Sequence, residues 1–148
     1  MFSKILIVGN SPATTVCSIY LHTANKKHLV IKSDCNLNYK ITAVAGIENP
    51  QNFTKDCFEQ IKNMEITVID KKITKITHDL FFTVELEGEE KIECEYLVVD
   101  KNIFGLSESL KKLIVIRNFY SKSNKEAEGI VVSGAGCKAA FALKEILQ

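Results

Sequence analysis

The chain has 148 residues, 46% hydrophobic and 25% charged, the profile of one soluble globular domain. A chain of that length can bury roughly 68–70% of its unfolded surface, so no disulfide or metal staple is called for. With 19 basic and 18 acidic residues the net charge is +1, which excludes a uniformly basic nucleic-acid-binding surface but not a local patch.

In chain order, Lys4 to Val8 reads as a continuous apolar strand of the buried, parallel kind. Gly9-Asn10-Ser11-Pro12 follows as a turn, and Ala13 to Asn25 carries apolar residues at helical spacing. His28 to Ile31 is a second strand, which completes a βαβ unit with a right-handed crossover. Phe53 to Met64 returns to helical spacing, with Lys55 and Asp56 outermost. Strands are expected over 65–69, 72–78, 80–86 and 91–99, and Glu87-Gly88-Glu89-Glu90 forms a hairpin turn. Residues 100–110 are irregular, 113–119 and 130–132 read as strands, and Gly134-Ala135-Gly136 opens a helix over 137–147. The expected fold class is α/β, three-layered and Rossmann-like, with a small additional antiparallel sheet. No run of about 18 apolar residues exists, so no membrane span is expected. The start of the chain lacks the apolar length and cleavage site of a signal peptide.

Cys17, Cys35, Cys57, Cys94 and Cys137 contain no CxxC pair, so neither a zinc ribbon nor a dithiol centre has a local signature. They read as packed thiols in a reducing, cytoplasmic setting. His22, His28 and His78 are scattered over three elements and read as surface or strand-edge residues. Cys137 begins the last expected helix, where the dipole could lower its pKa. Gly134-x-Gly136 at the same place could offer backbone N–H groups to an anion. Residues 85–100 hold seven acidic side chains and one lysine. Residues 101–125 hold Lys101, Lys111, Lys112, Arg117, Lys122 and Lys125 against Glu108, a candidate docking patch for an anionic partner.

A strand, then Gly9-x-x-Pro12-Ala13, then a helix resembles the dinucleotide fingerprint of flavoproteins. The wider order is more specific. ILIVGNSPATT, HLVI, Glu48-Asn49-Pro50 before a helix, EITVIDKKITKI and a hairpin ending in EYLVVD together resemble the flavin-binding domain of thioredoxin reductases. The C-terminal EGIVVSGAGCKAAFALKEIL is similar to that family's closing segment and helix. The resemblance covers nearly the whole chain as a single domain, 1–148, with a shortened connection at 100–128. It implies flavin contacts at Gly9, Ser11, Pro12, Ala13, Lys32, Glu48, Asn49, Gly134 and Ala135.

Departures from that pattern are extensive. Reductases of this kind insert a pyridine-nucleotide domain carrying the CxxC between the two flavin-domain segments. Here about 30 residues separate Val99 from Gly129, too few for a domain. Ser11 and Thr14 stand at glycine positions. Lys32 replaces the acidic residue for the ribose, with Asp34 displaced from that place. Asn38-Tyr39-Lys40 replaces Gly-Gly-Gln, Asp100-Lys101-Asn102 replaces Ala-Thr-Gly, and the Gly-Asp before the closing helix is missing. Losing two charged hydrogen-bond partners costs about 1.5–3 kcal/mol each, or roughly two to four decades of affinity together.

These departures lead to the expectation of a non-catalytic pseudoenzyme, not an enzyme, reused as a binding module. Neither NADPH binding nor disulfide reduction is expected. No tightly held cofactor is expected either, at most a weakly held FAD or other nucleotide. In its trimming the chain is similar to the dormancy factors that microsporidia place on idle ribosomes, and the lysine-rich composition fits a compact AT-rich genome. That likeness implies a ribosome hibernation role that inhibits translation, with rRNA as partner through the six basic residues above. Phe104, Phe119 or Tyr120 could add stacking. The alternative is a small FAD-binding oxidoreductase working with a thioredoxin-like protein. Neither DNA nor membrane is an expected partner, and no metal site or catalytic residue is assigned.

Overall fold

The apolar run at the start forms β1 (Phe2–Gly9), and Pro12 opens α1 (Pro12–Thr23) directly after the turn. The structure is a computed structural model that describes residues 1–33, 39–42, 44–47, 49–120 and 127–148. Asp34, Cys35, Asn38, Glu48, Lys122 and Lys125 lie outside the described residues. β2 (Leu29–Lys32) is followed by a two-residue β3 (Tyr39–Lys40), α2 (Pro50–Asn63) and β4 (Val68–Ile69). Next come β5 (Ile73–His78), β6 (Phe82–Leu86), β7 (Lys91–Val99) and β8 (Leu113–Val115). A 3₁₀ turn over Ile116–Phe119, the short β9 (Ala127–Glu128) and α3 (Gly129–Ile146) complete the described elements.

One sheet of seven strands runs β4-β2-β1-β7-β6-β5, with β8 also on β7. The β1, β2, β4, β7 and β8 pairings are parallel, whereas β5, β6 and β7 pair antiparallel. The antiparallel element expected over 65–99 is therefore joined edge-on to the parallel part through β7. The first half of β7 pairs with β6, and its last three residues, 97–99, pair with 113–115.

Strand alternation makes two cores. Ile5, Ile7 and Val98 pack with Cys17 and Leu21 of α1, Phe58 of α2 and Leu143 of α3. Leu6, Val8, Leu97 and Val99 point the other way and pack with Ile76, Phe82 and Val84 of the hairpin. Helices thus cover one face and the hairpin side chains the other, the layered α/β arrangement expected. Gly88 has φ +80° and turns the hairpin, as its place between two strands requires.

Two expectations are corrected. Residues 130–132 are not a strand: they are the first turn of α3, which begins at Gly129 and not at Cys137. The stripe Val132, Ala135, Ala139, Leu143 buries against α1 and the sheet, and that packing outweighs the β-branched character of Ile130-Val131-Val132. The strand that ends the parallel part is Leu113–Val115, and the 113–119 run expected as a strand turns into 3₁₀ from Ile116.

Candidate functional site

The C-terminal ends of β1 and β7 bring the first turn against Asp100. Ser11 caps α1: its Oγ accepts from the Ala13 N–H at 3.1 Å, and Pro12 takes the first helical place, where no N–H is needed. With its oxygen so used, the Ser11 hydroxyl donates to Asp100 Oδ2 at 2.8 Å. Thr14 Oγ1 donates to the same oxygen at 2.6 Å, and the Asn10 N–H at 3.2 Å. The Asp100 backbone is tied as well. Its N–H donates to Val8 O at 3.1 Å, and its carbonyl accepts from the Arg117 N–H at 3.1 Å.

Asp100, Ser11 and Thr14 are fully buried. Asp100 Oδ1 has no hydrogen-bond partner among the described residues. Burial pushes the Asp100 carboxyl up to about 7, while the donors on Thr14, Ser11 and Asn10 pull it down. The Tyr120 hydroxyl is also pushed up by burial, lowered by Arg117 and raised by Asp100.

A flavin dinucleotide does not fit this turn. Its pyrophosphate would need the donors at the start of α1 and a bare backbone at Gly9. The Asn10 N–H and both hydroxyls are already directed at Asp100. A Cβ added at Gly9 would run into the Asp100 carboxylate and Thr14 Oγ1. Gly9 thus makes room for a side chain of the same protein.

The other flavin positions have structural roles or are dispersed. Lys32, opposite Gly9 in the β1–β2 register, sits with Nζ 5.0 Å over the Phe58 ring. Asn49 caps α2 by accepting from the Asn52 N–H at 2.8 Å. Tyr39 donates its hydroxyl to Pro50 O at 2.5 Å. Gly134 and Ala135 lie inside α3, so the anion cradle expected at a helix start there is corrected, and so is the N-terminal placement of Cys137. Gly136 instead lets α3 meet α1, because an added Cβ would strike the Ala13 carbonyl oxygen. Ala13, at that contact, and Pro12 beside it in sequence are both buried.

The basic residues separate. Lys101 follows Asp100, and Arg117 lies past the end of β8. Lys111 and Lys112 precede β8, a strand length of roughly 10 Å away. Lys112 pairs with Glu95 at 3.0 Å and lies 5.4 Å from the Tyr96 ring centre. The acidic stretch is similarly dissolved by the fold, because Lys71 pairs with Glu90 and Lys91 with Glu85 at 3.5 Å. Phe104, Phe119 and Tyr120 are partly buried against the two cores.

Burial raises the thiols of Cys17, Cys57 and Cys94, the last to about 12. His28, read as a surface or strand-edge residue, stands directly before β2 and is partly buried. Its Nδ1–H donates to Lys26 O at 2.8 Å, so Nε2 accepts from the Ser18 hydroxyl at 2.6 Å. Burial lowers its pKa. His28 and His22 line a cleft of about 580 Å³ at the opposite end of the strands, beside Lys26, Lys27 and Glu65. Its cations lie just past the C-terminus of α1, where they complement the helix dipole. Among the described residues no group of three or more His, Cys, Asp or Glu could hold a metal ion, and no helix is long and apolar enough to cross a membrane.

Asp100 is the residue that sequence reasoning missed. Its signal was a pair of departures: hydroxyls at two glycine positions and a carboxylate at a strand end.

No protein-family profile matches the chain, and no curated protein matches it. Solved structures do. A putative thioredoxin reductase TrxB from Bacillus anthracis superposes with a TM-score of 0.57 at 17% identity, over 81% of this chain and 42% of that one. A ferredoxin-flavin thioredoxin reductase from Clostridium acetobutylicum gives 0.54 at 21% identity, over 72% and 40%. An oxidoreductase from Agrobacterium tumefaciens gives 0.56 at 19% identity, over 67% and 36%. The chain has the fold of the flavin domains of thioredoxin reductases, and its likeness spans less than half the length of each of these proteins.

Proposed function

We propose that the chain is a non-catalytic derivative of a thioredoxin-reductase-type flavin domain, used as a binding module. Its proposed partner is the ribosome, contacted through rRNA, with a dormancy role that holds translation off. The observation that carries the non-catalytic reading is the route from β7 to β8: residues 100–112 alone connect them, and Leu97 pairs with Leu113. In the reductases that the chain resembles, a pyridine-nucleotide domain with its CxxC lies between the two flavin-domain segments. This chain contains no CxxC, which supports a reading without that redox dithiol.

The same connection supports the choice of an anionic partner. Lys101, Lys111 and Arg117 flank it without a described carboxylate partner of the kind that Lys112 has in Glu95. Phosphate contacts position a protein on RNA through charge and shape. The test is cosedimentation with ribosomes, comparing the wild type with the triple variant Lys101→Glu, Lys111→Glu, Arg117→Glu, with circular dichroism melting to show that the variant is folded. Loss of cosedimentation in a folded variant is the expected result. Unchanged cosedimentation would remove this surface. NADPH-dependent disulfide reduction by the purified chain would favour the oxidoreductase alternative with a thioredoxin-like partner.

A further inference from the structure

We propose that Asp100 is a built-in acceptor that fills the phosphate place of the β1–α1 turn, so the domain closes on its own carboxyl group instead of on a nucleotide. The helix N-terminus carries partial positive charge and unsatisfied donors, and it favours an anion at this point. A phosphate is one way to supply the anion, and a carboxylate on a neighbouring strand end is another. Here Oδ2 takes the Asn10 N–H and the Ser11 and Thr14 hydroxyls. Oδ2 thus gathers three donors, two of them on side chains that a glycine-rich turn would not have.

Three observations support the assignment independently of any ligand. The carboxylate is fully buried, so a ligand cannot share it without displacing it. Gly9 has no space for a Cβ because Asp100 and Thr14 occupy that space. The Asp100 backbone is hydrogen-bonded on both sides, to Val8 and Arg117, which fixes the carboxylate over the turn and links it to the closing 3₁₀ segment. The disagreement with a dinucleotide is therefore specific: the cradle persists, and its occupant is covalently attached. This holds whatever partner the outer surface takes, and its test involves no ribosome.

The experiment is anion rescue of stability. Asp100→Ala removes the acceptor and leaves three donors around a space of carboxylate size. Formate should raise the melting temperature of Asp100→Ala by about 3 °C or more over chloride at equal ionic strength. The wild type should respond equally to the two salts. Equal responses of variant and wild type would overturn the proposal. Asp100→Ser covers the case in which the alanine variant does not fold, since its hydroxyl still accepts from one donor while most of the carboxyl group's space is opened. At pH 8, where the wild-type carboxyl is ionised, it should bind inorganic pyrophosphate at least about tenfold more tightly than the wild type, because the cradle is open and the positive end of α1 is no longer neutralised. Equal pyrophosphate binding by wild type and Asp100→Ser would overturn it as well.

Discussion

Thr14 Oγ1 donates to Asp100 Oδ2 at 2.6 Å, joining two residues 86 apart in sequence at the junction of β1, α1 and β7. The contact converts what reads as the erosion of a nucleotide motif into a polar cluster around one carboxyl oxygen, Oδ2, while Oδ1 has no partner among the described residues. Ser11 and Thr14 are the wrong residues for approaching a pyrophosphate and the right ones for donating to that buried oxygen.

The cluster sets a pH dependence with a definite sign. The Asp100 carboxyl is raised from 3.8 to about 7, so between those values the native state holds a proton that the unfolded chain has released. Stability contributed by this group is full below about pH 4 and is lost as pH rises toward 7. The nearby Cys17 thiol and Tyr120 phenol are both raised and stay neutral across that window. His28 opposes the trend, because its lowered pKa costs stability as pH falls below its ordinary value of 6.5. The stability of wild type minus that of Asp100→Asn, from urea unfolding, should therefore decrease from pH 4 to pH 7, by at most about 1.4 kcal/mol per unit. A flat difference would contradict the assignment.

Gly9→Ala should destabilise by about 1–3 kcal/mol, because its Cβ would meet the Asp100 carboxylate and Thr14 Oγ1. In an Asp100→Ala background the cost should be smaller, since one of the two obstacles is gone. A double-mutant cycle in denaturant reads this coupling, and strictly additive losses would contradict the contact.

The two glycines of α3 should behave oppositely. Gly136→Ala drives a Cβ into the Ala13 carbonyl and should cost about 1–3 kcal/mol. Gly134 faces open space, so Gly134→Ala should stabilise by about 0.5–1 kcal/mol through helix propensity alone. Thermal melts of the two variants decide it, and a similar loss in both would contradict the close packing of α1 on α3.

Legibility in the sequence followed the range of the physics involved. β1, α1 and β2 were readable because an apolar run, a capping serine and Pro12 act over a few residues. The hairpin was readable from Gly88. The first turn of α3 was not, because Ile130-Val131-Val132 has strand character locally and becomes helical only where Val132 and Ala135 bury with α1. From the sequence alone the site itself reads as a loss. Asp100 compensates Ser11 and Thr14 across 89 and 86 residues, a distance at which no local pattern registers.

The proposed rRNA contact carries a salt signature. If four to six of Lys101, Lys111, Lys112, Arg117, Lys122 and Lys125 meet phosphates, log affinity should fall with log salt with a slope of roughly −3 to −5. Titrating ribosome binding between low and physiological salt measures it. A slope near zero would contradict phosphate contact, and the Lys112–Glu95 pair places Lys112 last among the contributors.

The most direct measurement is the visible spectrum of the purified protein, repeated after incubation with excess FAD and gel filtration. The expected result is a colourless protein that retains no flavin, because Asp100 already holds the donors of the β1–α1 turn. A yellow protein with flavin bound in stoichiometric amount would contradict both the closed turn and the non-catalytic reading.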